Sequence, residues 1–164
     1  MNKQELQNEI NKTKEHLANM EKMLAECECE RWKPKNGDVF YFLNGYNEPY
    51  SNTFRGDVPE NTLYKTYNCF QTREQAEAEA EKILVRRLLE DIARRLNKGK
   101  ETNWNSSDES KYYIYLEASE DILSFDRSIR NKIQGVVYCT NMNFLDVAIR
   151  EIGEERLKKY LRGE

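Results

Sequence analysis

Asn68-Cys69-Phe70-Gln71-Thr72-Arg73-Glu74-Gln75-Ala76 is the stretch from which the rest of the chain can be read. A threonine followed three positions on by glutamine is a capping box, in which each side chain satisfies one of the orphan amides of a first helical turn. A helix is therefore expected from Thr72 to about Leu96. Its inward stripe would be Ala76, Ala80, Ile83, Leu84, Leu88, Ile92 and Leu96, with Asn97-Lys98-Gly99 as the stop.

Upstream, Val39-Phe40-Tyr41-Phe42-Leu43 is a β-rich run closed by Asn44-Gly45, most simply the first arm of a hairpin. Residues 44–61 are rich in Asn, Gly, Pro and Ser and read as an excursion, with a second strand expected around Thr62–Phe70. Downstream, Lys100–Ser110 is a polar loop carrying Trp104. Lys111–Ala118 and Ile122–Asp126 read as strands, Gly135–Thr140 as a third, and Thr140 as the cap of a last helix to about Leu161, with Gly153 as its candidate break. Aligning Thr72 with Thr140, Phe70 with Tyr138 and Ala80 with Ala148 at an offset of 68 residues suggests a duplicated β-β-α unit.

Residues 3–29 contain neither Gly nor Pro, and Leu6, Ile10, Thr13, Leu17, Met20, Leu24 and Cys27 alternate at spacings of four and three. That heptad pattern makes a narrow seam suited to a partner helix. Self-association through Leu6, Ile10, Leu17, Met20 and Leu24 into a homo-oligomer is the reading taken; a helix folded back on its own domain is the alternative. Pro34 and Asn36-Gly37 end the helical pattern. The expected organisation is an α+β protein: a coiled-coil-like helix over 1–30, then one domain of antiparallel strands and two main helices over 31–164, divided as 31–99 and 100–164.

The chain has 164 residues with 26 Lys and Arg against 29 Asp and Glu, a formal charge of −3 that provides no global basic field for nucleic acid. Its aromatic content of 11% is enough to anchor a core. No segment approaches the roughly 20 apolar residues of a membrane span, and the first residues lack the apolar centre of a secretory signal. A cytoplasmic protein is expected. The four cysteines are scattered, Cys27-Glu-Cys29 is not CxxC, and the single histidine, His16, lies on the helical segment, so neither a disulfide framework nor a metal-ligand set emerges.

No nucleophile–base–orienter set and no glycine-rich phosphate loop can be picked out, so no catalytic residue and no cofactor is expected. Aromatics interleaved with cations are the more suggestive feature. Arg31, Trp32, Tyr64, Lys65, Tyr67, Trp104, Tyr113 and Arg127 are the candidate ligand-binding residues, since stacking on rings combined with a cationic grip is how proteins hold bases and phosphates. Strand aromatics such as Phe40, Phe42, Tyr113 and Tyr115 can equally be core packing, because alternate residues of a strand face inward.

Trp32-Lys33-Pro34-Lys35-Asn36-Gly37, the Asn68–Ala76 segment and the ending Ile152-Gly153-Glu154-Glu155-Arg156 resemble motifs of uncharacterised accessory proteins of bacteriophages and mobile elements of Gram-positive bacteria. The resemblance covers nearly the whole chain. It departs where glycine commonly precedes Asn68, because Tyr67 stands there. It implies no catalytic residue. It implies a setting in which small proteins inhibit host antiviral defence, within the host cytoplasm. The expected activity is sequestration of a nucleotide-type signal molecule, or alternatively inhibition of a host defence protein through protein–protein contacts.

Overall fold

The computed structural model describes residues 3–28 and 31–164, without the side chains of residues 3, 5, 6, 8 and 21–28. The elements in order are α1 (Lys3–Glu28), β1 (Val39–Leu43), β2 (Pro49–Thr53), α2 (Val58–Lys65), α3 (Arg73–Leu96), β3 (Lys111–Glu117), β4 (Ile122–Ser128), α4 (Phe144–Ile152) and α5 (Glu154–Arg162). The chain is mixed α+β, with an N-terminal helix and two separate two-stranded antiparallel sheets. Among the described residues no helix is long and apolar enough to cross a membrane.

The capping box at Thr72 forms as expected. The Gln75 amide donates to Thr72 Oγ1 at 3.3 Å, and Gln75 Oε1 accepts from the amides of Thr72 and Gln71. The helix it starts is turned relative to the expected stripe. Val85 and Leu89 are buried with Ala76, Ile92 and Ala93, whereas Leu84 is 47% exposed. The face is shifted because α3 is covered from two sides, by the β1–β2 hairpin and by α4 and α5.

Two expectations between residues 44 and 70 are corrected. The return strand of the first hairpin is Pro49–Thr53, inside the expected excursion, with Asn44 Oδ1 gathering the Tyr46 and Glu48 amides in the turn. Thr62–Phe70 is not a strand: α2 occupies its first half. Asp57 caps this helix by accepting from the Glu60 amide at 3.1 Å, and Pro59 falls in its first turn, a start signal that outweighs the β-leaning Thr and Tyr residues behind it. The buried Glu60 carboxylate accepts from the amides of Arg55 and Gly56 and so fixes the chain entering α2.

Beyond Trp104 the β3–β4 hairpin is as expected, but Gly135–Thr140 shrinks to a single bridge, Tyr112 with Cys139. Thr140 does not cap the last helix. Its amide and hydroxyl both donate to Asn97 Oδ1, and α4 starts four residues later, at Phe144, behind Asn143, which makes no side-chain cap bond. Gly153, at φ +97°, breaks the terminal helix into α4 and α5. Both halves nevertheless share a plan. The first strand of each hairpin makes one two-bond bridge on its outer edge, Tyr41 with Phe70 and Tyr112 with Cys139, just before the next helix. The structural counterpart of Phe70 is thus Cys139, one residue beyond the Tyr138 of the sequence alignment.

Two apolar clusters result. The larger joins the second half of α3 to β3, β4, α4 and α5, with Phe144, Ala148, Ile92 and Leu157 at its centre. The smaller gathers Phe40, Phe54 and Cys69 beneath Trp32, Phe42, Leu63 and Tyr64.

Candidate functional site: the Trp104 cleft and the Arg31 clamp

The predicted site residues fall into two groups rather than one. In the first, the Arg31 guanidinium carbon stands 4.2 Å from the Tyr64 ring centre and 4.3 Å from that of Tyr67, and Arg31 Nη1 donates to the Tyr64 carbonyl at 2.6 Å. Arg31 Nη2 is buried without a hydrogen-bond partner among the described residues. Lys33 Nζ approaches Tyr64 at 5.7 Å. Trp32 packs on the Phe40 cluster, as Tyr64 also does, and Lys65 is exposed. Tyr67 occupies the left-handed region at φ +62°, where the bonds Tyr67 N–H to Tyr64 O and Asn68 N–H to Leu63 O close α2 in a Schellman pattern.

The second group is built on the outer face of the β3–β4 hairpin. Alternation puts Lys111, Tyr113 and Tyr115 on that face and Tyr112, Ile114 and Leu116 on the core face. A chain of rings follows: Tyr115 to Tyr113 at 6.2 Å, Tyr113 to Tyr138 at 5.5 Å and Tyr138 edge-on to Trp104 at 4.8 Å. Arg127 does not belong to it. It pairs across from Tyr112, and strand alternation puts it on the face opposite Tyr113.

Lys111 is the anchor. It is 0% exposed, and its Nζ donates to the carbonyls of Ser106 at 3.0 Å, Glu109 at 2.7 Å and Ile129 at 3.2 Å, which uses all three ammonium protons. The same Nζ is 5.5 Å from the Trp104 ring centre, and Lys132 Nζ is 5.9 Å from it. The Glu109 carboxylate accepts from the Asn103 amide, and Tyr138 Oη accepts from the Ile133 amide, so both loops beside Trp104 are tied.

Trp104 and Tyr138 form one wall of an open cleft of about 420 Å³, completed by the C-terminal turns of α3, by Lys100–Thr102 and by Lys132. Arg94 at its rim is engaged by Asp91, while Lys100 and Lys132 have no ion-pair partner among the described residues. A second cleft of similar volume between α3 and α5 holds no tryptophan and is crossed by the Arg156–Glu81 ion pair at 2.6 Å.

Cys69 and Cys139 are buried free thiols. Burial pushes both up from the ordinary thiol range; Arg31 opposes this at Cys69, and the Asn141 amide does so at Cys139. Both are held as neutral S–H groups, poor nucleophiles. Among the described residues no group of three His, Cys, Asp or Glu side chains is placed to hold a metal ion.

Sequence reasoning singled out Arg31, Tyr64, Tyr67, Trp104 and Tyr113 but did not bring Arg31 to the two tyrosines, and it missed Tyr138, Lys132 and Lys111 as neighbours of Trp104. Lys111 was visible only as one more cation in an aromatic strand. Tyr138 carried the weaker signal of an aromatic beside the expected third strand. No protein-family model, curated protein or solved structure matches the chain.

Proposed function

We propose that the chain acts by binding rather than by catalysis, and that the Trp104 cleft takes a nucleotide-type small molecule. The observation that carries this reading is the conjunction, around one cleft, of the Trp104 and Tyr138 rings with the ammonium groups of Lys100 and Lys132, which have no ion-pair partner among the described residues. Rings suited to stacking next to mobile cations match a flat base joined to a phosphate. In the phage setting implied by the resemblance, holding such a molecule withdraws a signal from the host's antiviral defence.

Calorimetry and thermal shift against cyclic nucleotides, nucleoside monophosphates and ADP-ribose test the proposal. Binding is expected for at least one class, with loss of about tenfold or more on Trp104→Ala, since base–aromatic stacking contributes about 1–3 kcal/mol. A flat response across the panel refutes it.

One observation favours a second reading, an oligomeric inhibitor or adaptor of a host defence protein. Along α1 the seam residues Ile10, Leu17 and Met20 are 41%, 55% and 55% exposed, an apolar line without cover among the described residues. Leu6 and Leu24 complete the seam in sequence, but their side chains lie outside the described set. Pull-down of a host complex that depends on α1 and is indifferent to nucleotide would favour this reading.

A further inference from the structure

Asn97 ends α3 and lines the Trp104 cleft. Its backbone is held at both ends, the amide donating to the Ala93 carbonyl at 2.9 Å and the carbonyl accepting from the Lys100 amide at 3.0 Å. Its side-chain oxygen is held more firmly still. Oδ1 accepts from the Thr140 amide at 2.8 Å, the Thr140 hydroxyl at 2.8 Å and the Cys139 thiol at 3.3 Å. The Thr140 backbone N–H determines which end of the amide is oxygen, because it can only donate and a flipped amide would set NH2 against it. The NH2 group has no partner among the described hydrogen bonds and is the end left for the cleft.

The surroundings of Asn97 are wrong for a phosphate. The C-terminal end of a helix carries partial negative charge, and Glu90 and Glu101 also line the cleft. Lys132, whose Nζ is 5.9 Å from the Trp104 ring centre, supplies a positive end beside the tryptophan. A ligand stacked on Trp104 with its phosphate at Lys132 therefore has its base free to turn toward α3. The Asn97 amide then meets the base edge as a fixed donor.

We propose that Asn97 sets base specificity by donating its amide proton to a ring carbonyl, so that the cleft prefers a keto base over the corresponding amino base. This rests on the nucleotide reading of the cleft and adds the chemical class of the base. A donor facing the exocyclic amine of an amino base leaves two hydrogen-bonding groups unpaired. A discrimination of about tenfold is expected from one such mismatch.

The experiment is calorimetric titration of the unaltered full chain with two matched pairs, inosine against adenosine monophosphate and uridine against cytidine monophosphate. The keto member should bind about tenfold more tightly in each pair. Asn97→Asp keeps an acceptor for Thr140 and Cys139 but replaces the cleft-facing donor by an acceptor, so it should reverse the order. Side-chain amide NMR of unaltered protein gives a readout independent of the variant's folding: the Asn97 NH2 resonances should move with inosine monophosphate and not with adenosine monophosphate. Equal affinities within both pairs, or an unchanged preference in a folded Asn97→Asp, overturn the assignment and leave the cleft a nucleotide site. Absence of binding by all four nucleotides overturns the assignment, and the nucleotide reading falls with it only if cyclic nucleotides and ADP-ribose also fail to bind.

Discussion

Tyr67 presents its ring 4.3 Å from the Arg31 guanidinium carbon out of a backbone at φ +62°, a region that strongly favours glycine. Left-handed backbone at a non-glycine residue costs about 1 kcal/mol or more, and a surface cation–π contact returns about 0.5–1 kcal/mol, so the tyrosine is close to neutral for stability. Removing the ring while keeping the strain should therefore be worse than removing both. Tyr67→Ala is expected to melt about 2–4 °C below Tyr67→Gly, with Tyr67→Gly close to the unaltered protein, by thermal denaturation. An alanine variant as stable as the glycine variant would show that the backbone strain is not felt.

Lys111 holds together the loops on both sides of Trp104. Lys111→Met preserves length and apolar stem but leaves the carbonyls of Ser106, Glu109 and Ile129 without their donor. A loss of about 3 kcal/mol is expected in urea denaturation. The loop should loosen before the fold fails. In a Trp32→Phe background, where Trp104 is the remaining tryptophan, the emission maximum of native Lys111→Met should shift to the red.

The buried thiols carry a pH dependence. For Cys69 and Cys139 the folded state raises the pKa above its unfolded value, chiefly through burial, so the unfolded chain releases those protons first as pH rises. Their contribution to stability is complete below the ordinary thiol value of about 8.5 and is lost as pH climbs from there through the raised folded values. Chemical denaturation between pH 7 and pH 10 should show this decline, and Cys69→Ala/Cys139→Ala should reduce it. At pH 8 a thiol reagent should label these two cysteines only on unfolding.

The exposed seam of α1 predicts self-association. Leu17→Glu combined with Met20→Glu places charge on two exposed apolar positions of one stripe. Light scattering should report an oligomer for the unaltered protein and a monomer for the double variant, with the melting temperature of the α+β portion unchanged. If the unaltered protein has the monomer mass at tens of micromolar, the seam is not an oligomer interface.

The legible parts of this protein are those governed by bonds between near neighbours. The Thr72 capping box, the strand from Val39, the hairpin from Lys111, the break at Gly153 and the helix α1 each depend on residues at most a few turns apart, so composition and period reveal them. The Asp57-Val58-Pro59 start of α2 was equally local and was overlooked because the residues after it favour strands. Sequence likewise marked Trp104 and the Arg31–Tyr64–Tyr67 aromatics as unusual. What it could not supply was their company. Thr140 carries every local mark of a helix cap, yet its hydroxyl serves Asn97, 43 residues away. Tyr138 and Trp104 meet only once the Tyr112–Cys139 bridge is closed, and Arg127 is separated from Tyr113 by strand alternation and register. A hydroxyl or a ring has the same intrinsic preferences wherever it occurs, and its partner is selected by which loops close and which face each strand turns inward. The sequence alone therefore determined those elements whose signals are local, α1, β1, α3 and the β3–β4 hairpin, and the tertiary structure alone determined that a tryptophan, two lysines and an oriented amide share one cleft.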